Sequence, residues 1–189
     1  MTAPLSDEER KYLLRLARQT ISNALDGMPL PEIKLADLTP ALQENGASFV
    51  TLTIDGDLRG CIGNLEAYQS LALDVRDHAY QAAFEDYRFP PLTKVEFPHL
   101  QIEISRLTSP VPLSYQTPAD LRRLLKPGVD GVILQDGLRR ATFLPQVWEQ
   151  LPQPEEFLTH LCVKMGASGD LWRRRLLDVK IYTVEEFHE

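Results

Sequence analysis

The stretch Phe49-Val50-Thr51-Leu52-Thr53-Ile54-Asp55-Gly56-Asp57-Leu58-Arg59-Gly60-Cys61-Ile62-Gly63 decides how the fold is read. Residues 49–54 are β-formers in strict alternation, with Val50, Leu52 and Ile54 on one side and Phe49, Thr51 and Thr53 on the other. Asp55-Gly56-Asp57 supplies a turn, and Leu58 to Ile62 returns as the partner strand. A three-residue loop pairs Ile54 with Leu58, Thr53 with Arg59 and Thr51 with Cys61. Side chains alternate along a strand, so Leu58, Gly60 and Ile62 then share the apolar face. Arg59 and Cys61 fall together on the polar face. A two-residue loop would set Arg59 opposite Leu52 or Ile54, a poor cross-strand match.

That pairing has chemical content. A guanidinium close to a thiol favours the thiolate, the form of cysteine that reacts or binds metal. Gly60 and Gly63 flank the thiol and would let a ligand or another backbone come close. The plain alternative is that Cys61 is a small half-buried hydrophobe and the glycines mark a bulge. Arg59 and Cys61 are the candidate catalytic residues, expected to border a concave pocket. Gly60, Gly63, Glu66 and Arg88 are the candidate binding residues. Arg88 has the geometry to hold a carboxylate or phosphate, or else to pair with Asp86 or Glu85. Glu66 reads as a general base or, more simply, a partner for Arg59.

Outward from the hairpin, Ser6 and Glu9 form a capping-box signature that opens a helix running to Gly27. Pro29, Pro31 and Pro40 mark an extended connection. A helix spans about Ser70 to Asp86, with Leu71, Val75, Ala79, Ala82 and Ala83 as its apolar stripe, and Phe89-Pro90-Pro91 lies beyond its end. Leu100 to Ser105 alternates as a half-buried strand. A short helix starts at Thr117, and a second hairpin turns at Asp136-Gly137. Another helix runs from Pro154 to Met165, and Val179 to Val184 is a closing strand. On that helix Cys162 shares the apolar face with Leu158, Leu161 and Met165, and reads as a core residue. Strands arrive as hairpins and neighbours, which predicts an α+β fold with a largely antiparallel sheet. Two hairpins, each preceding a helix, hint at two lobes within one domain spanning 1–189.

The chain has 189 residues, 43% hydrophobic and 25% charged, enough for a core without disulfide or metal staples. Its net charge of −7 disfavours non-specific binding to nucleic acid or anionic lipid. Two cysteines far apart and the absence of a signal-type or membrane-length apolar run predict a cytoplasmic protein. His78, His99, His160 and His188 show no metal-ligand spacing, and no Cys-X-X-Cys pair occurs. No Walker loop, dinucleotide fingerprint or Gly-X-Ser-X-Gly element is present. No cofactor is read from these residues.

Leu58-Arg59-Gly60-Cys61-Ile62-Gly63 resembles the signature hexapeptide of the AMME-chromosomal-region family, called AmmeMemoRadiSam system protein A in prokaryotes. Asp86-Tyr87-Arg88-Phe89-Pro90-Pro91, Ile102-Glu103-Ile104-Ser105 and Gly128-Val129-Asp130-Gly131-Val132 also match, in order. So do Ala141 to Val147 and Cys162 to Gly166, although Met165 stands where the family often has alanine. The resemblance implies an α+β fold with a larger and a smaller lobe, and the motif beside a cleft between them. It also implies association with a radical-SAM protein and a Memo-type protein, and it names no reaction. Two readings follow. In one, the chain is an enzyme or enzyme component holding a substrate against Cys61 and Arg59. In the other, it is a non-catalytic adaptor whose glycine-flanked strand docks a peptide or protein.

Overall fold

The computed structural model describes residues 3–189, which divide into two compact units. The first contains residues 3–108 and Glu185–Glu189, and the second Ser109–Val184.

In the first unit, α1 (Asp7–Leu25) starts at a complete capping box. The Ser6 hydroxyl accepts the Glu9 N–H at 3.3 Å, and the Glu9 carboxylate accepts the Ser6 N–H at 2.7 Å. A single turn, α2 (Pro40–Gln43), leads into β1 (Asn45–Ile54). Then come β2 (Asp57–Gly63), the two-residue β3 (Gln69–Ser70), α3 (Leu71–Phe84) and β4 (Leu100–Leu107). The strand Val184–His188 completes the sheet, whose order is β2, β1, β4 and then that last strand, with β3 paired to the start of β1. β1 runs antiparallel to β2, β3 and β4.

Alternation along the strands produces a two-faced sheet. Val50 and Leu52 of β1 and Ile102 and Ile104 of β4 are fully buried together with Val75 and Ala79 of α3 and Leu13, Ala17 and Ile21 of α1. Each valine, leucine or isoleucine among them contributes about 1.5–3 kcal/mol through burial. The opposite face carries Thr51, Thr53, Gln101 and Glu103.

The second unit holds β5 (Val111–Pro112), α4 (Pro118–Leu124), β6 (Gly131–Asp136), β7 (Arg139–Phe143), α5 (Pro154–Lys164), α6 (Leu171–Arg174) and β8 (Asp178–Tyr182). Its sheet runs β5-β8-β6-β7, antiparallel throughout. Phe157, Leu158, Leu161 and Cys162 of α5 are fully buried in its core, where Trp148 stacks on Phe157 with ring centroids 3.7 Å apart. Cys162 is free and buried, as its place on the apolar face of α5 predicts.

The fold is α+β with antiparallel sheets, one in each unit. Two expectations change. The closing strand is not one segment: β8 ends at Tyr182, and Val184–His188, hereafter β9, joins the other sheet. The turn of the first hairpin has two residues rather than three. Asp55 (φ 53°) and Gly56 (φ 87°) both take left-handed conformations, the geometry of a tight hairpin turn, so Ile54 pairs with Asp57. No helix among the described residues is long and apolar enough to cross a membrane.

Candidate functional site

A tight turn alone would flip β2 by one residue, but a β-bulge restores the phase. Thr53 pairs with Leu58 and Leu52 with Gly60, which leaves Arg59 as the extra residue. Thr51 therefore still faces Cys61, and the expected Thr53–Arg59 pairing does not form. Cys61 is half-buried on the Thr51 side of the sheet, away from Val50 and Leu52. The Thr51 hydroxyl donates to its sulfur at 3.3 Å.

Bulged out of the ladder, Arg59 turns toward the segment that follows α3. Its Nε donates to Glu96 Oε1 at 2.8 Å, and its Nη2 donates to the Pro90 carbonyl at 2.9 Å. Its Nη1 is buried without a hydrogen-bond partner. The Arg59 guanidinium, backed by the hydroxyl and N–H of Thr93, brings the Glu96 carboxyl down to about 2 against the opposing effect of burial. The carboxylate partner of Arg59 is thus Glu96, while Glu66 is exposed in the connection between β2 and β3.

The charge beside Cys61 comes from Arg88. β2 is the edge strand of its sheet, and the outward backbone groups of Cys61 are occupied by two side chains. Asp86 Oδ2 accepts the Cys61 N–H at 2.9 Å, and Arg88 Nη2 donates to the Cys61 carbonyl at 3.1 Å. The two are themselves joined, Arg88 Nη2 to Asp86 Oδ2 at 2.6 Å and Arg88 Nε to Asp86 Oδ1 at 2.9 Å. Asp86 is only 3% exposed. Arg88 holds its carboxyl well below the usual carboxylate range, with the N–H groups of Cys61 and Arg88 adding to this and burial opposing it. Reciprocally, Asp86 raises the Arg88 guanidinium, and the Cys61 thiol contributes to that shift electrostatically. The Phe89 ring lies under both guanidinium groups, 5.9 Å from Arg59 and 5.5 Å from Arg88.

Both glycines have packing reasons. A Cβ on Gly60 would run into the carbonyl oxygen of Ala82 in α3, and one on Gly63 into the Phe49 ring and the Ser48 carbonyl. Behind the motif lies a buried polar cluster. Asp74 of α3 accepts from the Ser48 hydroxyl at 2.6 Å and from the Asn64 amide at 2.9 Å, with His78 Nδ1 3.2 Å away. It ties the end of β2 to α3 from the inner side.

On the outward face, Thr51 and Thr53 line a depression of about 520 Å3 together with Gln101, Glu103, His188 and Glu189. Burial, and then the neighbouring Glu186, push the Glu103 carboxyl up, while His188 pulls the other way. No group of three or more His, Cys, Asp or Glu side chains among the described residues is arranged to hold a metal ion.

The sequence named Cys61, Arg59 and Arg88 as candidates but paired Arg59 with Thr53, which the bulge prevents, and it passed over Asp86, Thr51 and Glu103 as site groups. Asp86 sits in the matching stretch Asp86-Tyr87-Arg88-Phe89, and Thr51 follows from the register, so both carried a signal. Residues 14–187 match the AMMECR1 family. A protein of Methanothermobacter thermautotrophicus is 37% identical over 195 residues, covering 99% of this chain and 97% of its own length. One from Thermofilum pendens is 38% identical over 200 residues, with coverages of 98% and 92%. The crystal structure of the uncharacterized protein PH0010 from Pyrococcus horikoshii superposes with a TM-score of 0.80 at 34% identity, over 98% of this chain and 93% of that one. The chain belongs to the AMMECR1 family.

Proposed function

We propose that the chain is an enzyme or enzyme component that works through the Cys61 thiol, with Arg88 rather than Arg59 as the cation that holds an anionic group beside it. One observation carries the reading. The Cys61 sulfur receives the Thr51 hydroxyl on the outward face, while the backbone of the same residue is clamped by Asp86 and Arg88. A hydroxyl donor and a nearby guanidinium both stabilise negative charge on sulfur, whether it attacks a substrate or leaves one. Arg59 has a different part in this reading: with Glu96 it locks the bulge that sets the phase of β2. The radical-SAM and Memo-type proteins implied by the sequence resemblance enter as the partners acting with this chain. Two free cysteines suit the reducing cytoplasm assigned to it.

The adaptor reading draws on a different observation: Tyr87, between Asp86 and Arg88, is 95% exposed, and Leu58 of β2 is also exposed. Native iodoacetamide labelling separates the two. The enzyme reading expects Cys61 to alkylate faster than a neutral free thiol such as N-acetylcysteinamide, with Cys61→Ser removing the adduct. A rate at or below that of the free thiol would favour the adaptor.

A further inference from the structure

Neither Cys61 nor Arg59 lines the depression on the outward face, contrary to expectation, but Thr51, which does, donates its hydroxyl to the Cys61 sulfur at 3.3 Å. In the antiparallel register Thr51 faces Cys61 on β2 and Glu103 on β4, so one cross-strand row reads Cys61–Thr51–Glu103. In the next row, Thr53 faces Gln101. Strands lie about 4.8 Å apart, which puts Cys61 and Glu103 roughly 10 Å from each other across the face. A volume of about 520 Å3 is that of a small-molecule site.

The lining selects the ligand. Besides Ile102, it consists of two hydroxyls, an amide, an imidazole and two carboxyl groups. The Glu189 carboxylate is taken by Arg18, whose Nε donates to it at 2.7 Å. Glu103 is half-buried, and the charged groups that reach it electrostatically are Glu186, of like charge, and His188, both on β9. A cation bound between Thr51, Thr53 and Glu103 pairs with the half-buried Glu103 carboxylate and satisfies the hydroxyl lone pairs. An anionic or apolar group does neither.

We propose that this depression binds a small polar molecule bearing a primary ammonium group, which Glu103, Thr51 and Thr53 hold, and that the other end of the molecule reaches the Cys61 thiol. The last clause rests on the function proposed above; the ammonium site stands on the depression and its lining.

Cystamine is the probe, a disulfide with an ammonium at each end. Cys61 attacks one of its sulfurs, the S–S bond breaks, a mixed disulfide forms on Cys61 and cysteamine leaves as the thiolate. Rates are compared with the neutral bis(2-hydroxyethyl) disulfide and the anionic dithiodipropionate. Each is divided by the rate of N-acetylcysteinamide, so that intrinsic reactivity cancels. The expected result is a preference for cystamine over the neutral reagent of about fivefold or more, equivalent to roughly 1 kcal/mol. Glu103→Gln should abolish it, and Glu149→Gln, at an exposed position in the second unit, should leave it intact. Independently, cadaverine added to the Cys61→Ser protein should shift the amide resonances of Thr51, Thr53 and Gln101, while malonate should not. Shifts with cadaverine but no reaction of Cys61 with any of the disulfides would support the ammonium site and sink the thiol function. A cystamine preference that survives Glu103→Gln, or amides that cadaverine leaves unmoved, would overturn the proposal.

Discussion

Asp86 accepts the backbone N–H of Cys61 at 2.9 Å across 25 residues of sequence, from a side chain almost wholly removed from solvent. Arg88 completes the clip on the carbonyl of the same residue. A clip of this kind mimics a neighbouring strand. It satisfies an exposed sheet edge and fixes the position of the one half-buried cysteine.

Removing the charge of Asp86 should therefore loosen β2 locally. Asp86→Asn keeps the shape but weakens the bonds to Cys61 and Arg88, at an expected loss of about 1–3 kcal/mol in urea unfolding. Amide exchange at Cys61 should rise more than exchange at Val50, on the inner strand.

Gly60 is needed for close packing rather than for flexibility. Gly60→Ala drives a Cβ onto the Ala82 carbonyl, where backbone has to move. Destabilisation of at least about 2 kcal/mol is expected, in the upper part of the range of roughly 1–3 kcal/mol for overpacking a core. Urea unfolding measures it, and a loss under 0.5 kcal/mol, on the order of a surface substitution, would contradict the packing described here.

Acid stability should report the Arg59–Glu96 pair. Glu96 is lowered from an ordinary value near 4.5 to about 2 in the folded protein. A depressed carboxyl stabilises the fold fully above its unfolded value. As pH falls from about 4.5 to about 2, the unfolded chain binds the proton first and that contribution disappears. Arg59→Gln should flatten the fall in unfolding free energy across this window. An unchanged slope would mean that the pair contributes nothing to acid stability.

Much of this arrangement was legible in the hairpin. Strict alternation from Phe49 to Ile54 placed Cys61 opposite Thr51 and away from the core, and the structure has that pairing. It is reached by another route, because the turn is one residue shorter and the bulge one residue longer than the simple register assumes. Alternation senses only the net phase, so two compensating irregularities are invisible to it, and the fate of Arg59 with them. The link from Arg88 to Cys61 depends on where the end of α3 comes to rest against β2, a tertiary fact without a local pattern. The outward position of Glu103 was readable from its own strand. Its neighbour β9, which arrives from the far end of the chain, was not.

The thiols should differ sharply in access. Burial pushes the Cys162 thiol up, and the side chain is fully enclosed, whereas Cys61 is half-buried. Ellman's reagent should titrate one thiol in the native protein and two after unfolding. Native labelling at Cys162 would contradict the core of the second unit.

The most direct test of the central claim is the rate of Cys61 alkylation by iodoacetamide at pH 7 in the wild type, Arg88→Gln and Arg59→Gln. A partly exposed cation at short range is worth about 1 kcal/mol to a developing negative charge. Arg88→Gln should therefore slow the reaction roughly threefold to tenfold, and Arg59→Gln distinctly less, because Arg88 bonds the Cys61 carbonyl whereas the guanidinium of Arg59 bonds only Glu96 and the Pro90 carbonyl. Equal rates in all three proteins, or a larger loss with Arg59→Gln, would contradict the account.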